Sequence, residues 1–374
     1  MVSGQAPSAF SRESPVTARL PRKMQTGESS FQPRSRQGRK EPLRSLRLCD
    51  LFSEECLPVR SSRFDFLEIG DEPLPKSPPA RATVSPCPIV PRCAEIEEII
   101  GSYGSGVGEF NSLWGIAVDG VGALYVADMH NHRVQKITDD GDVYTIGGKG
   151  DEPGRFLFPS GVAVDGVGSI YVSDRSNSAI QRFDARGRFM LGIGRRGSAM
   201  SCLANPADVA LDNFNNVWVV DTSNNRVQQF SATGRFLQCV DGGDRFCFNR
   251  PQGITIGSDF CVYVTDTLNR RIVQVLPGRH SVGKAITAEG SRTTLMEPCG
   301  IAADGNGNLY VTDAAANRVL CITNEGFPFV LVDGENGSPS RRLHRPRGIA
   351  VSHDGSSLYV ADSLNHRVVR MGLH

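Results

Sequence analysis

The sequence contains no apolar run of 18 or more residues, and its first residues lack the apolar core of a secretory signal. Both absences predict a soluble, cytoplasmic protein with no membrane partner. Neither sign of charge is in excess, since 41 basic side chains accompany 40 acidic ones. The overall balance therefore counts against a chain that binds nucleic acid along its whole length.

Motifs of familiar active sites are also missing. There is no GxSxG elbow, no Walker loop, and no dinucleotide fingerprint between a strand and a helix. The seven histidines are scattered, and no spacing supplies the convergent ligands of a zinc site. The ten cysteines form no C-x-x-C pair, and we interpret them as reduced thiols. We therefore predict no catalytic residue, no metal, no cofactor and no enzymatic activity.

Residues 1–94 differ in composition from the rest, being rich in serine, proline and arginine, with 15 basic against 10 acidic side chains. Because they show no sustained apolar period, they cannot bury enough surface to offset the entropy of ordering, and we expect a disordered basic tail. A more apolar island at residues 46–70 is either plain linker or a short binding motif. The first 48 residues, with ten basic and three acidic side chains, could attract nucleic acid or have no such role.

Six related copies fill the remaining residues, 95–374. The first reads GIAVDGVGALYVADMHNHRVQKI and the last reads GIAVSHDGSSLYVADSLNHRVVRM. An aspartate closes the second apolar run of each copy, and these aspartates recur every 45 to 49 residues, a spacing typical of propeller blades. The copies span about 114–137, 161–183, 208–230, 253–275, 300–322 and 348–371.

Each copy is predicted to form four strands, here named a to d. The first two runs are short, β-branched and apolar, and Asp-Gly or Asn-Gly turns separate them, as expected for strands covered on both faces. The third run interleaves polar residues and the fourth ends in glycine, so burial should fade from strand a to strand d. A propeller produces this gradient, because its inner strands are sandwiched between neighbouring sheets.

The two ends of the repeat region predict how the ring closes. The last copy stops after its third strand, whereas residues 95–110 (EIEEIIGSYGSGVGEF) resemble the fourth strand and exit loop of the other copies. We therefore expect the N-terminal strand to complete the sixth blade and to remove an open sheet edge. The predicted fold is all-β, a six-bladed β-propeller preceded by the tail.

An aspartate and an arginine five residues apart recur in the b-to-c turn of five copies, as in Asp128 and Arg133. The second copy carries Asp174 and Ala179 instead. These pairs could form a ring of ligand-binding charges or a structural clamp. Because packing devices repeat while reactive constellations are unique, we predict a clamp.

The copies resemble NHL repeats, which join a G-[IV]-A-V-D strand to a [IL]-Y-V-[AST]-D strand and then N-x-R-[VI]. The resemblance extends to the tripartite-motif NHL and malin-related proteins, although this sequence lacks the zinc-binding RING of the ligases. It implies a propeller that binds protein or RNA. Related amidating lyases build a metal site on this fold, but their ligand histidines cannot be matched to residues of this chain.

Partner binding is expected on the face where the d-to-a loops meet the b-to-c turns, because loops on a rigid scaffold carry specificity. Phe156, Leu157, Met200, Phe248 and Leu295 are further candidates for apolar anchors. The predicted binding residues are Lys149, Arg155, Phe158, Arg175, Arg195, Arg196, Arg245, Phe246, Arg250, Arg270, Arg292, Arg341, Arg342 and Arg345. We expect a monomeric, non-catalytic protein-binding scaffold or substrate-recognition module, for example an adaptor in ubiquitin-dependent degradation. The alternative is a regulator that binds single-stranded RNA on the same face.

Overall fold

The computed structural model describes residues 94–242, 246–276, 281–288, 292–333 and 342–373, all within the unit Arg81–His374. The predicted tail, apart from Ala94, lies outside the described residues, as does its island at 46–70. In the described chain, helical structure is confined to short 3₁₀ turns, and none is long and apolar enough to cross a membrane. The all-β class predicted from the sequence is confirmed.

Six four-stranded antiparallel sheets form the blades of a β-propeller, as predicted. Three strands precede the first complete blade: β1 (Ala94–Ile100), β2 (Ser102–Tyr103) and β3 (Glu109–Phe110). Blades one to three comprise β4 (Leu113–Val118), β5 (Leu124–Asp128), β6 (Arg133–Ile137), β7 (Val143–Gly147), β8 (Pro159–Val164), β9 (Ile170–Asp174), β10 (Ala179–Phe183), β11 (Phe189–Ile193), β12 (Val209–Leu211), β13 (Val217–Asp221), β14 (Arg226–Phe230) and β15 (Phe236–Val240). Blades four to six comprise β16 (Ile254–Ile256), β17 (Val262–Asp266), β18 (Arg271–Leu276), β19 (Ser281–Ile286), β20 (Pro298–Ala303), β21 (Leu309–Asp313), β22 (Arg318–Ile322), β23 (Pro328–Val332), β24 (Pro346–Val351), β25 (Ser357–Asp362) and β26 (Arg367–Leu373).

Burial is greatest in the second strand of a blade and falls from there outward, so the predicted gradient is confirmed only from strand b; the innermost strand β4 is partly exposed to the channel at the axis. Every residue of β5 (LYVAD) is buried, because its two faces pack on neighbouring blades. In the outer strand β7 of the same blade, Tyr144 is 54% exposed. The cores therefore lie between blades. One of them joins Phe156 and Phe183 of blade two to Tyr125 and Val134 of blade one.

The N-terminal strand closes the ring as predicted. Strand β1 pairs antiparallel with β26 from Ala94 opposite Leu373 to Ile100 opposite Val368, with one bulge. The resulting sheet has the order β1-β26-β25-β24, so the sixth blade is built from both ends of the repeat region. This pairing satisfies the hydrogen-bonding edge of β26 that would otherwise be open.

Five glycines at the start of the innermost strands let the blades meet at the axis. A Cβ atom on Gly300 would lie 2.1 Å from the carbonyl oxygen of Arg347, and one on Gly348 would lie 2.3 Å from that of Trp114. No side chain fits such spaces, because a Cβ contact below 3 Å forces the backbone apart. Gly115, Gly161, Gly253, Gly300 and Gly348 occupy this position. The third blade departs from the pattern and carries Asp208.

The repeated Asp–Arg pairs are structural clamps, which confirms the interpretation drawn from their repetition. In blade three, Asp221 is fully buried, and Arg226 Nε donates to its Oδ2 at 2.7 Å. The other oxygen of Asp221 accepts the backbone N–H of Ala204 in the preceding d-to-a loop at 2.6 Å. Arg226 also donates to the carbonyl oxygens of Ala199 and Cys202 in that loop. The clamp therefore fixes a d-to-a loop against the following b-to-c turn.

Candidate functional site

The d-to-a loops and the b-to-c turns share one face of the propeller, here called the loop face. The clamps show this directly, since each joins a turn to a loop. The turns also share a backbone conformation, because the residue before the third strand lies in the left-handed region in every blade. These residues are His132, Ser178, Asn225, Arg270, Asn317 and His366, with φ between 52° and 57°.

Most of the basic side chains predicted to bind a partner are exposed on the loop face. The exposed ones are Lys149, Arg155, Arg195, Arg196, Arg250, Arg270, Arg292 and Arg342. Arg345 is half-buried and donates to both carboxylate oxygens of Glu297 at 2.6 Å. Arg245 and Arg341 lie outside the described residues. We call these basic side chains the basic belt; they share the face with exposed acids such as Asp151 and Glu152, and Arg345 is already paired.

The predicted apolar anchors require a correction. Phe156, Phe248 and Leu295 are at most 4% exposed, because the d-to-a loops fold back and insert these side chains between blades. Phe158 is half-buried and packs its ring edge-on against His132, with centroids 5.4 Å apart. Phe246 is half-buried beneath the guanidinium of Arg271. In that set of apolar residues, Met200 alone is largely exposed, at 62%.

At the centre of the loop face, two arginines lie over the ring of Trp114. Trp114 is the second residue of β4, the innermost strand of blade one, and a guanidinium reaches it from each neighbouring blade. The Cζ atom of Arg347, in blade six, lies 3.8 Å from the ring centroid, and that of Arg175, in blade two, lies 4.4 Å away. Stacking on an aromatic face stabilises a guanidinium, and Arg175 Nε also donates to Asn205 Oδ1 at 2.8 Å. Arg175 is therefore turned inward toward the axis and does not extend from the rim as the sequence predicted.

Trp114, Asp208, Gln252, Cys299 and Arg347 line a cavity of about 20 Å³, and we call these residues together with Arg175 the axial mouth. Among the described residues, four buried side-chain polar atoms have no hydrogen-bond partner. Two of them, Arg175 Nη1 and Gln252 Oε1, belong to the axial mouth. Leaving a buried polar atom unpaired costs about 1–3 kcal/mol. The axial mouth is therefore a place where a ligand could supply missing partners.

Burial shifts the pKa values of three ionisable groups in the axial mouth. Burial, with the nearby charges of Arg347 and Arg250, lowers the pKa of Arg175 to about 10. Burial also lowers the pKa of Arg347 and raises that of the Cys299 thiol to about 12. At neutral pH both arginines therefore remain cationic and the thiol remains neutral. The axial mouth therefore holds two positive charges, with Glu297 and Asp208 as nearby acids.

Asp208 is the acidic member of the axial mouth. Its oxygens accept the N–H groups of Val209 at 2.9 Å and Ile254 at 3.1 Å. Burial raises the pKa of this carboxyl to about 7, although both hydrogen bonds act in the opposite direction. Asp208 also lines a channel of about 270 Å³ that runs between the innermost strands, where all other lining residues except Thr255 have apolar side chains. The carboxyl therefore stands where the mouth meets the channel.

The sequence interpretation missed Trp114, Asp208, Gln252 and Arg347. All but Asp208 occupy the position just before the glycine at the start of an innermost strand. These positions come together only when the ring closes. The six residues there are Trp114, Ser160, Ala207, Gln252, Cys299 and Arg347. A signal was present, since this position differs in every copy while its neighbours repeat. Variation within a repeating unit is where a unique site can be built.

The described residues hold no group of three or more His, Cys, Asp or Glu side chains placed to bind a metal ion. The axial mouth offers two cations, an amide and an aromatic ring, with one carboxyl, Asp208, whose oxygens already accept two backbone N–H groups. Its chemistry suits the binding of a negatively charged group.

Comparison with known families supports an NHL-repeat propeller. The NHL repeat model matches residues 110–137, 156–183, 203–230 and 343–371, which correspond to blades one, two, three and six. The relationship to tripartite-motif or malin-related proteins remains a prediction. No curated protein sequence matches the chain at a significant level.

Solved propellers are similar in fold at low sequence identity. A protein of unknown function from Bacteroides thetaiotaomicron is 18% identical, with a TM-score of 0.58 over 75% of this chain and 76% of that one. A gluconolactonase from Xanthomonas campestris is 17% identical, with a TM-score of 0.57 over 72% and 88% of the two chains. A catalytically inactive virginiamycin B lyase from Staphylococcus aureus, bound to quinupristin, is 16% identical, with a TM-score of 0.52 over 72% and 82%.

The prediction that the protein is not an enzyme was wrong, because folds similar to this one include enzymes. It rested on the absence of linear catalytic motifs, yet propellers similar to this one include a lyase and a gluconolactonase. A propeller can assemble reactive groups from several blades at its axis, so such a site leaves no contiguous motif. The similarity itself establishes the fold, and activity must be judged from residues.

Proposed function

We propose that this NHL-repeat propeller is a binding scaffold that holds a protein partner on its loop face, acting as a monomer in the cytoplasm. In its most specific form the proposal is an adaptor that presents a protein for ubiquitin-dependent degradation. The partner would contact the basic belt and cover the axial mouth.

The proposal rests on two groups of basic side chains with different roles, one holding the loops and one exposed on them. Clamp arginines such as Arg226 bind loop carbonyls and a buried carboxylate, and so hold the loops rigid. Basic side chains between them, including Arg155 and Arg292, are exposed on those same loops. Rigid loops lose little entropy on binding, and a Trp–Arg cluster surrounded by charge is typical of the centre of a protein interface.

RNA binding on the same face is less well supported. Single-stranded RNA binds where bases stack on accessible aromatic rings. Here Arg271 lies over Phe246, and two guanidiniums lie over Trp114. A base would have to displace these cations, whereas acidic protein side chains could bind them where they are.

Site-specific photo-crosslinking on the full chain tests the proposal. A photoreactive residue would replace Lys149 or Arg292 on the loop face, or Val121 or Val167, which are 81% and 79% exposed in the a-to-b turns on the opposite face. We expect discrete protein adducts from the two loop-face positions, unchanged by nuclease treatment. Adducts that disappear with nuclease would support RNA, and equal adducts from both faces would contradict the assigned surface.

A charge-reversed variant provides the control for specificity. Replacing Arg155 and Arg342 with glutamate should abolish the adducts from both loop-face positions at an unchanged melting temperature, because these side chains are exposed. For the adaptor role, the crosslinked partner should be ubiquitinated less in cells that express this variant. If ubiquitination is unchanged, the scaffold role stands and the adaptor role does not.

A further inference from the structure

Arg347 offers a half-buried cation with no counterion. Among the described residues, its guanidinium makes no hydrogen bond or ion pair, and it lines the cavity of the axial mouth. The nearby acid, Glu297, already binds Arg345 through both oxygens. Arg175 adds a second positive charge on the same ring, with its buried Nη1 unpaired. A planar guanidinium fork is complementary to a carboxylate.

Gln252 calls for a hydrogen-bond donor on the ligand, whereas the arginines call for an acceptor. Its Oε1 atom is buried and unpaired, and its side chain lines the same cavity as Arg347. An acceptor in this position needs an N–H or O–H donor on the ligand. A complementary ligand therefore combines a carboxylate with a donor close to it.

The size of the cavity restricts how a ligand can enter. A volume of about 20 Å³ holds a group no larger than a water molecule or two, so only the tip of a ligand fits. The rest of the ligand must lie above it, over the loop face. A terminal group at the end of a longer chain meets this condition.

We propose that the axial mouth binds the C-terminal carboxylate of a protein partner, with Arg347 holding the carboxylate over Trp114 and Gln252 accepting the N–H of the terminal residue. Arg175 supplies the second positive charge. This assignment rests on the proposed function, because it names the part of the partner that reaches the centre of the loop face.

Asp208 sets a limit on what the cavity accepts. It lines the same cavity, and its oxygens are turned toward the N–H groups of Val209 and Ile254. A ligand that extends past Arg347 toward the channel would meet this acid. The site should therefore select a single terminal carboxylate over a multiply charged anion such as phosphate.

Fluorescence titration of the full chain tests the proposal. The sequence has two tryptophans, and Trp218 is fully buried, so a change in emission reports Trp114. The probes are N-acetylglycine, N-acetylglycinamide, acetate and inorganic phosphate. We expect N-acetylglycine to bind at least about tenfold more tightly than its amide and more tightly than acetate or phosphate, since charge-assisted hydrogen bonds carry that difference. Phosphate binding as tightly as N-acetylglycine, or no response to any probe, would overturn the proposal.

Matched variants separate binding from folding. Arg347→Leu should reduce N-acetylglycine affinity at least about tenfold. Arg347→Lys should also weaken binding, because lysine keeps the charge and loses the fork. Arg186→Leu removes the same charge at an exposed position on the opposite face and should bind as the parent does. Gln252→Leu should abolish the advantage of N-acetylglycine over acetate. If Arg347→Leu is misfolded by circular dichroism, the lysine and Gln252 variants decide the question.

A pair of tetrapeptides that differ only in a C-terminal acid or amide identifies the source of the carboxylate. The acid should bind more tightly than N-acetylglycine, because it also contacts the loop face. If N-acetylglycine binds and the peptide acid does not, the site takes a small acid and the partner assignment is wrong. If crosslinks to proteins form while no probe binds, this inference fails and the scaffold proposal stands. If the probes bind and no protein crosslinks form, the scaffold proposal fails and only a carboxylate-binding site remains.

Discussion

The hydroxyl of Ser363 donates a hydrogen bond to the carbonyl oxygen of Leu113 at 2.6 Å, across 250 positions of the chain. Thr222 makes the same contact to Pro251 in the next blade, and Thr267 to Pro298. The junction between the last blade and the first is therefore an ordinary blade junction on the loop face. Strand β1 adds a second closure at the outer edge of blade six.

Removing β1 should destabilise the whole ring. A chain that begins at residue 101 loses the pairing of β1 with β26 and leaves the edge of β26 open. We expect its free energy of unfolding to fall by several kcal/mol and its tendency to aggregate to rise. Urea denaturation followed by tryptophan fluorescence would measure the loss. A chain that begins at residue 94 is the matched control, and equal stability of the two would show that β1 is dispensable for closure.

The five glycines at the start of the innermost strands should tolerate no side chain. In Gly300→Ala the new methyl would lie 2.1 Å from the carbonyl oxygen of Arg347, so the innermost strands of two blades must separate. We expect a loss of at least about 3 kcal/mol of folding stability. Gly305→Ala is the control, because a Cβ there meets nothing within 4 Å. Thermal unfolding should separate the two variants, and similar melting temperatures would mean that the blades can move apart freely.

Features that repeat were predictable from the sequence. The strands, the axial glycines and the clamp each appear in most copies, so repetition itself revealed their structural role. Features that occur once were not predictable in this way. Trp114 and Arg347 are more than 230 positions apart in sequence and meet only because the ring closes. Phe156 was misjudged because a loop position predicts exposure, whereas this loop folds back and its ring contacts Phe183 with centroids 5.5 Å apart.

Removing a clamp arginine should cost far more than removing an exposed one. Arg226→Met leaves the fully buried Asp221 without its cation and removes one hydrogen-bond donor from each of the Ala199 and Cys202 carbonyls. We expect a loss of about 3 kcal/mol or more in chemical denaturation. Arg188→Met removes an arginine that is 73% exposed and paired with Asp184, and should cost less than about 1 kcal/mol.

Blade two shows why the aspartate can remain without the arginine. Asp174 has no clamp arginine, since Ala179 occupies that position, but it accepts the N–H groups of Leu157 and Phe158 at 3.1 Å and the amide of Asn177 at 2.6 Å. Ala179→Arg should therefore raise stability by no more than about 1 kcal/mol. If Arg226→Met costs as little as Arg188→Met, the clamp is not a main support of the loop face.

The buried carboxyl of Asp208 should make folding stability fall as pH rises toward neutrality. Burial raises its pKa from 3.8 to about 7 in the folded chain, so between these values the folded state holds a proton that the unfolded state has released. Stability linked to this group is therefore complete below about pH 4 and is lost as pH approaches 7. Each unit of pKa shift corresponds to about 1.4 kcal/mol, and access of channel water reduces the sum, so we expect a loss of about 2 kcal/mol or more.

Asp208→Asn isolates this effect from every other titrating group. Asparagine cannot ionise, so the variant should lack this loss between about pH 4 and 7, whatever stability it forfeits by exchanging one acceptor for a donor beside Val209 and Ile254. Urea denaturation at half-unit pH steps would give the two curves, and the informative quantity is their difference. The difference should grow in favour of the variant as pH rises and level off above about 7, where the parent carboxyl is ionised in both states. Parallel curves would mean that channel water solvates the carboxylate as bulk water does, and that the acid stands at the axis without an electrostatic cost.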